Sequence, residues 1–251
     1  MGTFYSSSDA SLYPVPDTSV AVPQYEIDFT AQTADTFVGT GAWTTTDGLE
    51  IEILSLSGDN TELSVGAAGL GSNGTSGNWE AVINLTDQVN ALIDLADGGL
   101  WAFLIEFDDD NTSGDAVGIF IGTSVGQTGQ LDYPQGAGCQ RQNTSNNLKY
   151  FQGNGGAFIN DELAPHAAND VRAIGLLLAR YSGSMWWGTA ADGQAYPGAL
   201  TSGPHYNDVG LSTGMSYTDG GDVWCRIRGM EDVNMTRLTI WAIDANLVAG
   251  V

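Results

Sequence analysis

Three alternating carboxylates are the group of side chains best placed to do chemistry. Glu106, Asp108 and Asp110 occupy every second position at the end of an apolar segment, so a β-strand here would place all three on one face. The oxygen-rich residues that follow include Asp115, and such turns can bind Ca²⁺, although the glycine and final glutamate of an EF-hand loop are missing. We therefore expect either a solvated strand end or a calcium site at Asp108, Asp110 and Asp115.

Two other motifs match the residue pattern of a catalytic or cofactor-binding site but lack the structural context that such a site needs. Residues 210–214 fit the nucleophile-elbow expression around Ser212, but both histidines, His166 and His205, precede that serine and no helix pattern follows it. Residues 69–74 fit a dinucleotide fingerprint, but a strand pattern follows them instead of a helix. Two separated histidines without a cysteine cluster also disfavour a zinc site. The sequence therefore predicts no catalytic residue and no cofactor except calcium.

Aromatic side chains are the remaining candidates for ligand contact. Trp186 and Trp187 are adjacent, so a strand would turn one of them into the core and the other outward. An outward Trp187, with Tyr181 and Tyr196 near it in the sequence, would suit stacking on a sugar ring or packing against a protein partner. The alternative is that loops cover it.

Short alternating segments separated by turn residues predict an all-β, two-sheet antiparallel sandwich. Apolar residues alternate with glutamates in 49–53, and the odd positions of 101–107 form an aromatic and aliphatic face, as packing on a second sheet requires. One helix is expected at 86–96, capped by Thr86 and stopped by Gly98. The segment 49–53 belongs to an expected strand at 49–56, and further strands are expected at 25–30, 62–67, 79–85, 117–122, 148–152, 171–181, 184–189, 223–230 and 236–243. Loops are expected at 108–116, 123–147, 153–169 and 190–221.

The first 24 residues predict an extended arm in front of a single domain, residues 25–251. Prolines in this segment disfavour a central strand. Its apolar side chains would dock on another subunit or on the arm's own domain, and the alternative is a poorly ordered tail. The residues expected to make this contact are Phe4, Tyr5, Leu12 and Tyr13.

The charge of the chain excludes several partners. Asp and Glu number 30 against 7 Lys and Arg, which gives a net charge of −23. Nucleic acids and anionic membranes would be repelled, because the arginines are scattered, although Arg226 and Arg228 share a strand face. No signal-peptide pattern and no bilayer-length apolar run is visible. The two cysteines, Cys139 and Cys225, are expected to be free and buried.

The order of these segments resembles the concanavalin A-like lectin/glucanase superfamily, which includes laminin G-like domains. The segments that carry the resemblance are 25–29, 41–43, 47–51, 100–107, 116–122 and 235–241. The resemblance implies a jelly roll of two curved antiparallel sheets, with the closing strand beside the first one. It also implies a concave face and loops available for sugars or protein partners.

The β-glucanases of that superfamily carry a Glu-x-Asp-x-x-Glu pattern for acid and nucleophile. Glu26 and Asp28 begin this pattern, but Ala31 stands where the general acid is needed. The resemblance therefore implies a protein that binds but does not catalyse.

The acidity, the arm and the long loops resemble the jelly-roll decoration, cement and head-fibre proteins of tailed bacteriophages. We expect a homo-oligomeric virion structural protein, made in the host cytoplasm and with a trimer among the options, that binds the major capsid protein or another virion protein. The alternative is a carbohydrate-binding module of a tail fibre or host-recognition protein that uses Trp187 or Tyr196 on surface glycans. A third hypothesis is a diverged glycoside hydrolase centred on Glu106.

Overall fold

The computed structural model of the chain describes residues 3–6, 12–15, 24–92, 100–108, 116–122, 136–142, 147–152, 159–161, 171–179, 182–189, 205–207, 222–230 and 233–243. In chain order the strands β1 to β19 are Thr3–Ser6, Leu12–Val15, Gln24–Asp28, Asp35–Val38, Gly41–Thr44, Glu50–Leu56, Glu62–Val65, Leu70–Ser72, Asn78–Asn84, Leu100–Asp108, Ala116–Gly122, Gly136–Gln142, Asn147–Gln152, Ile159–Asp161, Val171–Ala179, Ser182–Thr189, His205–Asn207, Trp224–Met230 and Asn234–Ile243. A 3₁₀ helix spans Phe29–Ala31, and the α-helix α1 spans Thr86–Leu92.

Two antiparallel sheets form a jelly-roll sandwich, as the sequence predicts. Nine of the described strands form the larger sheet, in the order β17-β16-β15-β10-β19-β8-β7-β4, with β3 also paired to β19. Eight described strands form the smaller sheet, in the order β14-β13-β12-β11-β18-β9-β6-β5. The last strand, β19, lies beside the first strand of the sandwich, β3, as the family resemblance implies.

The core lies between the two sheets and follows the predicted alternation. In β10 the odd positions 103, 105 and 107 are buried, and in β6 Ile51 and Ile53 are buried while Glu50 and Glu52 are not. These residues belong to one apolar cluster that draws on both sheets. Burial of the faces that meet between the sheets therefore stabilises the sandwich, and Val82 on β9 and Phe120 on β11 are buried on the opposite face as well.

The predicted helix forms over Thr86–Leu92, with residues 93–96 outside the described part of the chain, but its expected cap does not form. The Thr86 hydroxyl accepts a hydrogen bond from the Val223 N–H at 3.0 Å and donates one to the Val223 carbonyl at 3.5 Å. The Val89 N–H donates to the Leu85 carbonyl, so the first helical turn starts one residue earlier than expected. Thr86 thus fastens α1 to the segment before β18 instead of capping the helix.

Several strands lie where loops were expected, and β12 is the clearest correction. Its sequence is polar and rich in glycine, which is atypical of a central strand. The ring of Phe120 on β11 occupies the space that a side chain at Gly138 would need. Glycine is therefore required here by packing between neighbouring strands, not by a turn. Strands β14 and β17 also lie within predicted loops, and β4, β5 and β8 were not predicted.

Residues of the expected arm form a small sheet of their own. β1 and β2 pair in an antiparallel manner, with Thr3 opposite Val15 and Tyr5 opposite Tyr13. This sheet is distinct from the two sheets of the sandwich. The domain boundary at residue 25 stays a prediction. Among the described residues, no helix is long and apolar enough to span a bilayer.

Candidate functional site

Three carboxylates meet around one arginine on the larger sheet. β10, β19 and β3 are neighbours, and Arg237 on β19 lies opposite Glu106 on one side and Asp28 on the other. Arg237 Nε is 3.5 Å from Glu106 Oε2 and 3.6 Å from Glu26 Oε1. Arg237 Nη2 is 3.9 Å from Asp28 Oδ2. Glu26, Asp28, Glu106 and Arg237 are called the carboxylate cluster below.

The cluster lies on the face of the larger sheet that points away from the core. The residues that alternate with it, Ile27, Ile105 and Leu238, are buried in the apolar cluster between the sheets. Glu106 is nevertheless only 9% exposed, whereas Asp28 remains partly exposed. The three carboxylates therefore share one counter-ion but differ in their access to water.

Burial changes the protonation of Glu106. Desolvation raises the pKa of Glu106 from 4.5 to about 7; Arg237 lowers it, and the charges of Glu26 and Asp28 raise it. The pKa of Asp28 is lowered instead, chiefly because the Thr30 hydroxyl donates a hydrogen bond to its carboxylate at 2.6 Å. Near neutral pH, the cluster thus holds a partly protonated Glu106 beside an ionised Asp28.

A partly protonated carboxyl group beside an ionised one resembles the acid and base pair of a glycosidase. Hydrolysis would require the substrate bond to lie between the two carboxyl groups. The guanidinium of Arg237 faces both Glu106, at 3.5 Å, and Asp28, at 3.9 Å, and lies in that position. The cluster therefore supports an ion-pair network better than it supports a hydrolase.

An open cleft of about 460 Å³ lies beside the cluster, where β3 meets the turn between β5 and β6. The start of α1 and the residue before β18 complete its wall. Glu26 belongs both to this cleft and to the carboxylate cluster. The lining residues are Tyr25, Glu26, Ile27, Gln32, Asp47, Gly48, Leu49, Glu50, Asn84, Thr86, Asp87, Gln88 and Asp222.

The turn that forms one wall of the cleft is held by side-chain hydrogen bonds. Buried Thr45 accepts a hydrogen bond from the Leu49 N–H at 2.9 Å through its hydroxyl, and its carbonyl accepts from the Gly48 N–H. Gly48 has a φ of 85°, which a residue with a side chain rarely adopts. Asp47 accepts hydrogen bonds from the N–H and the hydroxyl of Thr33. The wall is therefore fixed before any ligand binds.

The lining of the cleft is polar and acidic. Five carboxylates line it, from Glu26, Asp47, Glu50, Asp87 and Asp222, and no Lys, Arg or His is among the described residues around it. Gln32, Asn84 and Gln88 add amide donors and acceptors, and Tyr25 adds an aromatic ring. Within the described ranges, no three His, Cys, Asp or Glu side chains are arranged to bind one metal ion. The cleft therefore suits a polar ligand that is neutral or cationic.

The carboxylates predicted from β10 have partners other than those expected. Glu106 and Asp108 flank buried Phe107, as the alternation predicts. A register shift between Glu106 and Phe107 then places Asp108 opposite Asn234. Asp110 and Asp115 lie outside the described residues, so the calcium site stays a prediction. The actual neighbours of Glu106 come from β3 and β19.

The aromatic contact residues are only partly placed. Trp187 pairs with His205 in the β16–β17 ladder, but its side chain is not among the described ones. Tyr181 and Tyr196 lie outside the described residues. Phe4, Tyr5, Leu12 and Tyr13 lie on β1 and β2, again without described side chains. Their roles in binding stay predictions.

Sequence reasoning missed both Arg237 and the cleft. The absence of a carboxylate at Ala31 was interpreted as the loss of the acidic site, yet Glu106 reaches the same neighbourhood from another strand. One signal was available: Arg237 is the only charged residue in the sequence of β19, and an arginine among buried neighbours requires a counter-ion.

Neither a family model nor a curated protein sequence matches the chain. Solved structures with a similar arrangement of strands include lectin II from Ulex europaeus, at 8% identity and a TM-score of 0.41, covering 88% of this chain and 98% of the lectin. A CBM2 module from the evolved Dit of Lactobacillus casei BL23 phage J-1 has 10% identity and a TM-score of 0.39, with 89% and 98% covered. The carbohydrate-binding module CBM66 from Bacillus subtilis has 12% identity and a TM-score of 0.30, with 82% and 96% covered.

Proposed function

We propose that this chain is a carbohydrate-binding β-sandwich without catalytic activity and that the cleft beside β3 is its saccharide site. The observation that carries the proposal is the composition of the cleft, which combines an aromatic wall at Tyr25 with many hydrogen-bonding side chains. A sugar presents apolar C–H faces and a ring of hydroxyl groups, so it needs both kinds of contact.

The charge of the cleft narrows the class of sugar. Carboxylates such as Asp47 and Asp87 are acceptors only, and sugar hydroxyl groups are donors that can satisfy them. An anionic saccharide would instead meet five like charges without a compensating cation among the described lining residues. We therefore expect a neutral saccharide or an amino sugar in the cleft.

The proposal is tested first with a glycan array and then by titration of the best saccharide. The double variant Asp87→Ala/Gln88→Ala removes two polar groups from the first turn of α1 and should weaken binding about tenfold or more. Glu62→Gln, a loss of one charge on β7 outside the cleft, is the matched control and should bind as the wild type does. Absence of binding to every neutral and amino sugar, or equal affinity in the double variant, would contradict the proposal.

A second function is proposed from the small sheet formed by β1 and β2. This sheet pairs with neither sheet of the sandwich, so it is available as a separate contact element. It supports a role as a virion structural protein of the decoration, cement or head-fibre type, in which the first residues contact the major capsid protein or a second copy of the chain. Electron microscopy of virions carrying a labelled copy tests the location. A chain that sediments as a lone monomer and binds no particle contradicts this role.

A further inference from the structure

The small sheet formed by β1 and β2, called the arm hairpin below, is incomplete as a sheet. It has two strands, and in the described part of the chain it pairs with neither sheet of the sandwich. An isolated two-stranded sheet is marginally stable at best in water, and a third strand is needed for independent stability. The arm hairpin therefore needs a strand from elsewhere.

The proline of β2 decides which strand of the arm hairpin can pair further. Pro14 has no N–H, so it fits a ladder only where its nitrogen points away from the neighbouring strand. Phe4 lies directly opposite Pro14, and two opposed residues of an antiparallel pair either bond to each other or both direct their backbone groups outward. Phe4 thus directs its N–H and carbonyl away from β2. β2 is a terminal edge, and β1 is the strand that can accept a neighbour.

The sandwich has an open strand edge that can serve as this neighbour. β4 ends the larger sheet, and among the described strands it pairs only with β7. Thr36 and Val38 alternate with buried Phe37, so they lie on the outer face of that sheet. Val38 is 66% exposed and is the one large apolar side chain so exposed in the part of the chain that the structure describes. β4 therefore presents an accessible edge with an apolar residue beside it.

The edge of β4 carries little of the protection that open edges usually have. Charged side chains, prolines and bulges normally keep such edges from pairing with other chains. β4 has no lysine and no proline, and its ladder with β7 is regular over all four residues. Its single charge, Asp35 at the start of the strand, already accepts a hydrogen bond from the Thr46 N–H at 2.6 Å. Such an edge indicates that another strand covers it in the assembled protein.

Charge favours the arm hairpin of a second copy as the occupant of this edge. With a net charge of −23, two copies repel each other wherever their carboxylates meet. β1 and β2 contain no charged residue, and neither do positions 36–38 of β4. The carboxylate across from Val38 belongs to Glu62 on β7, two inter-strand spacings or about 10 Å from a strand added beside β4. The arm hairpin can therefore approach β4 without a close like charge.

We propose that copies of this chain exchange arm hairpins, so that β1 of one copy pairs along the open edge of β4 in another copy. Each copy gives one hairpin and receives one, and the exchange closes as a dimer or a trimer. The affinity comes from backbone hydrogen bonds between the added strand and β4, as in other cases of strand addition. The exchange deepens the second proposed function, rests on its arm contact and does not involve the saccharide cleft.

Sedimentation velocity of the full chain over a range of concentrations measures the association. The wild type should sediment as a dimer or trimer. Thr36→Lys/Val38→Lys should sediment as a monomer, because the uncharged hairpin offers no counter-ion for charges that pairing would desolvate. Val38→Thr keeps the branched shape without a charge and should associate as the wild type does. Ala42→Lys places the same charge at an exposed position on β5, outside the exchange, and should also associate normally.

Phe4→Pro tests the contribution of the hairpin. The substitution removes the N–H that β1 directs outward and leaves the ladder between β1 and β2 intact, because that N–H is not used within the hairpin. The variant should therefore sediment as a monomer. Phe4→Tyr keeps both the N–H and an aromatic ring and should associate as the wild type does. Circular dichroism of each variant checks that the sandwich is folded.

Mixing the two monomeric variants separates the exchange from other contacts. The double lysine variant keeps an intact hairpin and the Phe4→Pro variant keeps an intact β4 edge, so the mixture should form a one-to-one pair. Binding of the hairpin to β4 of its own chain would leave both the wild type and the mixture monomeric. A monomeric wild type, an oligomer that either variant leaves unchanged, or a mixture that stays monomeric overturns the exchange. A monomeric chain that binds virions would overturn the exchange while leaving the second proposed function in place.

Discussion

Glu106 lies directly opposite Arg237 across the β10–β19 pair, with 3.5 Å between Glu106 Oε2 and Arg237 Nε. The ion pair is not enough to keep Glu106 fully ionised, because burial raises its pKa more than Arg237 lowers it. The carboxylate cluster is therefore a place where the stability of the sandwich depends on pH.

Glu106→Gln should remove that dependence. Between pH 4.5 and about 7 the folded protein holds a proton at Glu106 that the unfolded chain has released. The contribution of Glu106 to stability is therefore present at low pH and lost as the pH rises through about 7. The free energy of unfolding of the variant, relative to the wild type, should rise by up to about 3 kcal/mol from about pH 4.5 to about pH 8.

Urea unfolding of both proteins at the two pH values measures this difference. Glu62→Gln, on a strand outside the cluster, serves as the control and should show no comparable change. A difference between Glu106→Gln and wild type that is the same at both pH values would contradict the raised pKa.

Gly229→Ala should destabilise the sandwich, because the indole of Trp79 fills the space beside Gly229. Trp79 is fully buried, and the position of an added Cβ falls on its ring. Overpacking of this kind costs about 1–3 kcal/mol. Thermal unfolding of Gly229→Ala, Trp79→Phe and the double variant forms a mutant cycle. The smaller ring should recover part of the loss, and strictly additive effects would argue against this contact.

Asn60→Asp should loosen the turns that join β6 to β7 and β8 to β9. The Asn60 amide donates hydrogen bonds to the carbonyls of Ser57 and Ser76, and its oxygen accepts from the Gly74 N–H. Aspartate keeps the shape but loses both donors, so the free energy of unfolding should fall by about 2–3 kcal/mol. Chemical denaturation measures the change. Asp108→Asn, an exposed swap of the same two residue types, should have little effect.

Cys225 should be unreactive in the folded protein. It is free and buried, as the sequence predicts, and burial raises the pKa of its thiol. In a Cys139→Ser background, a thiol reagent should modify Cys225 only when denaturant unfolds the chain. Rapid modification in native buffer would contradict the burial of this strand.

Much of the fold was predictable from the sequence because strand burial is a local signal. The alternation of Ile51 and Ile53 with glutamates, and of Phe103 and Ile105 with their neighbours, reports directly which face is buried. β12 was not predicted, because Gly138 leaves room for the ring of Phe120, which belongs to another strand. A local pattern carries no information about such a neighbour.

The candidate site was less predictable because it depends on long-range pairing. Glu26 and Asp28 were recognised as a pair, and Glu106 was singled out separately. Only the position of β19 between β3 and β10 brings them together around Arg237. Register between distant segments is a property of the folded sheets.

The pairing of β3 with β19 has a consequence for how the chain acquires its structure. This ladder joins segments from nearly opposite ends of the sequence, so its formation closes a very long loop. Proteins dominated by such distant contacts fold slowly, because the entropy of closure is lost before the contacts form. During synthesis the larger sheet cannot be completed until residues 234–243 have left the ribosome. Until then, the edge of β10 that pairs with β19 stays unpaired, and an unpaired strand edge can pair with another chain and aggregate.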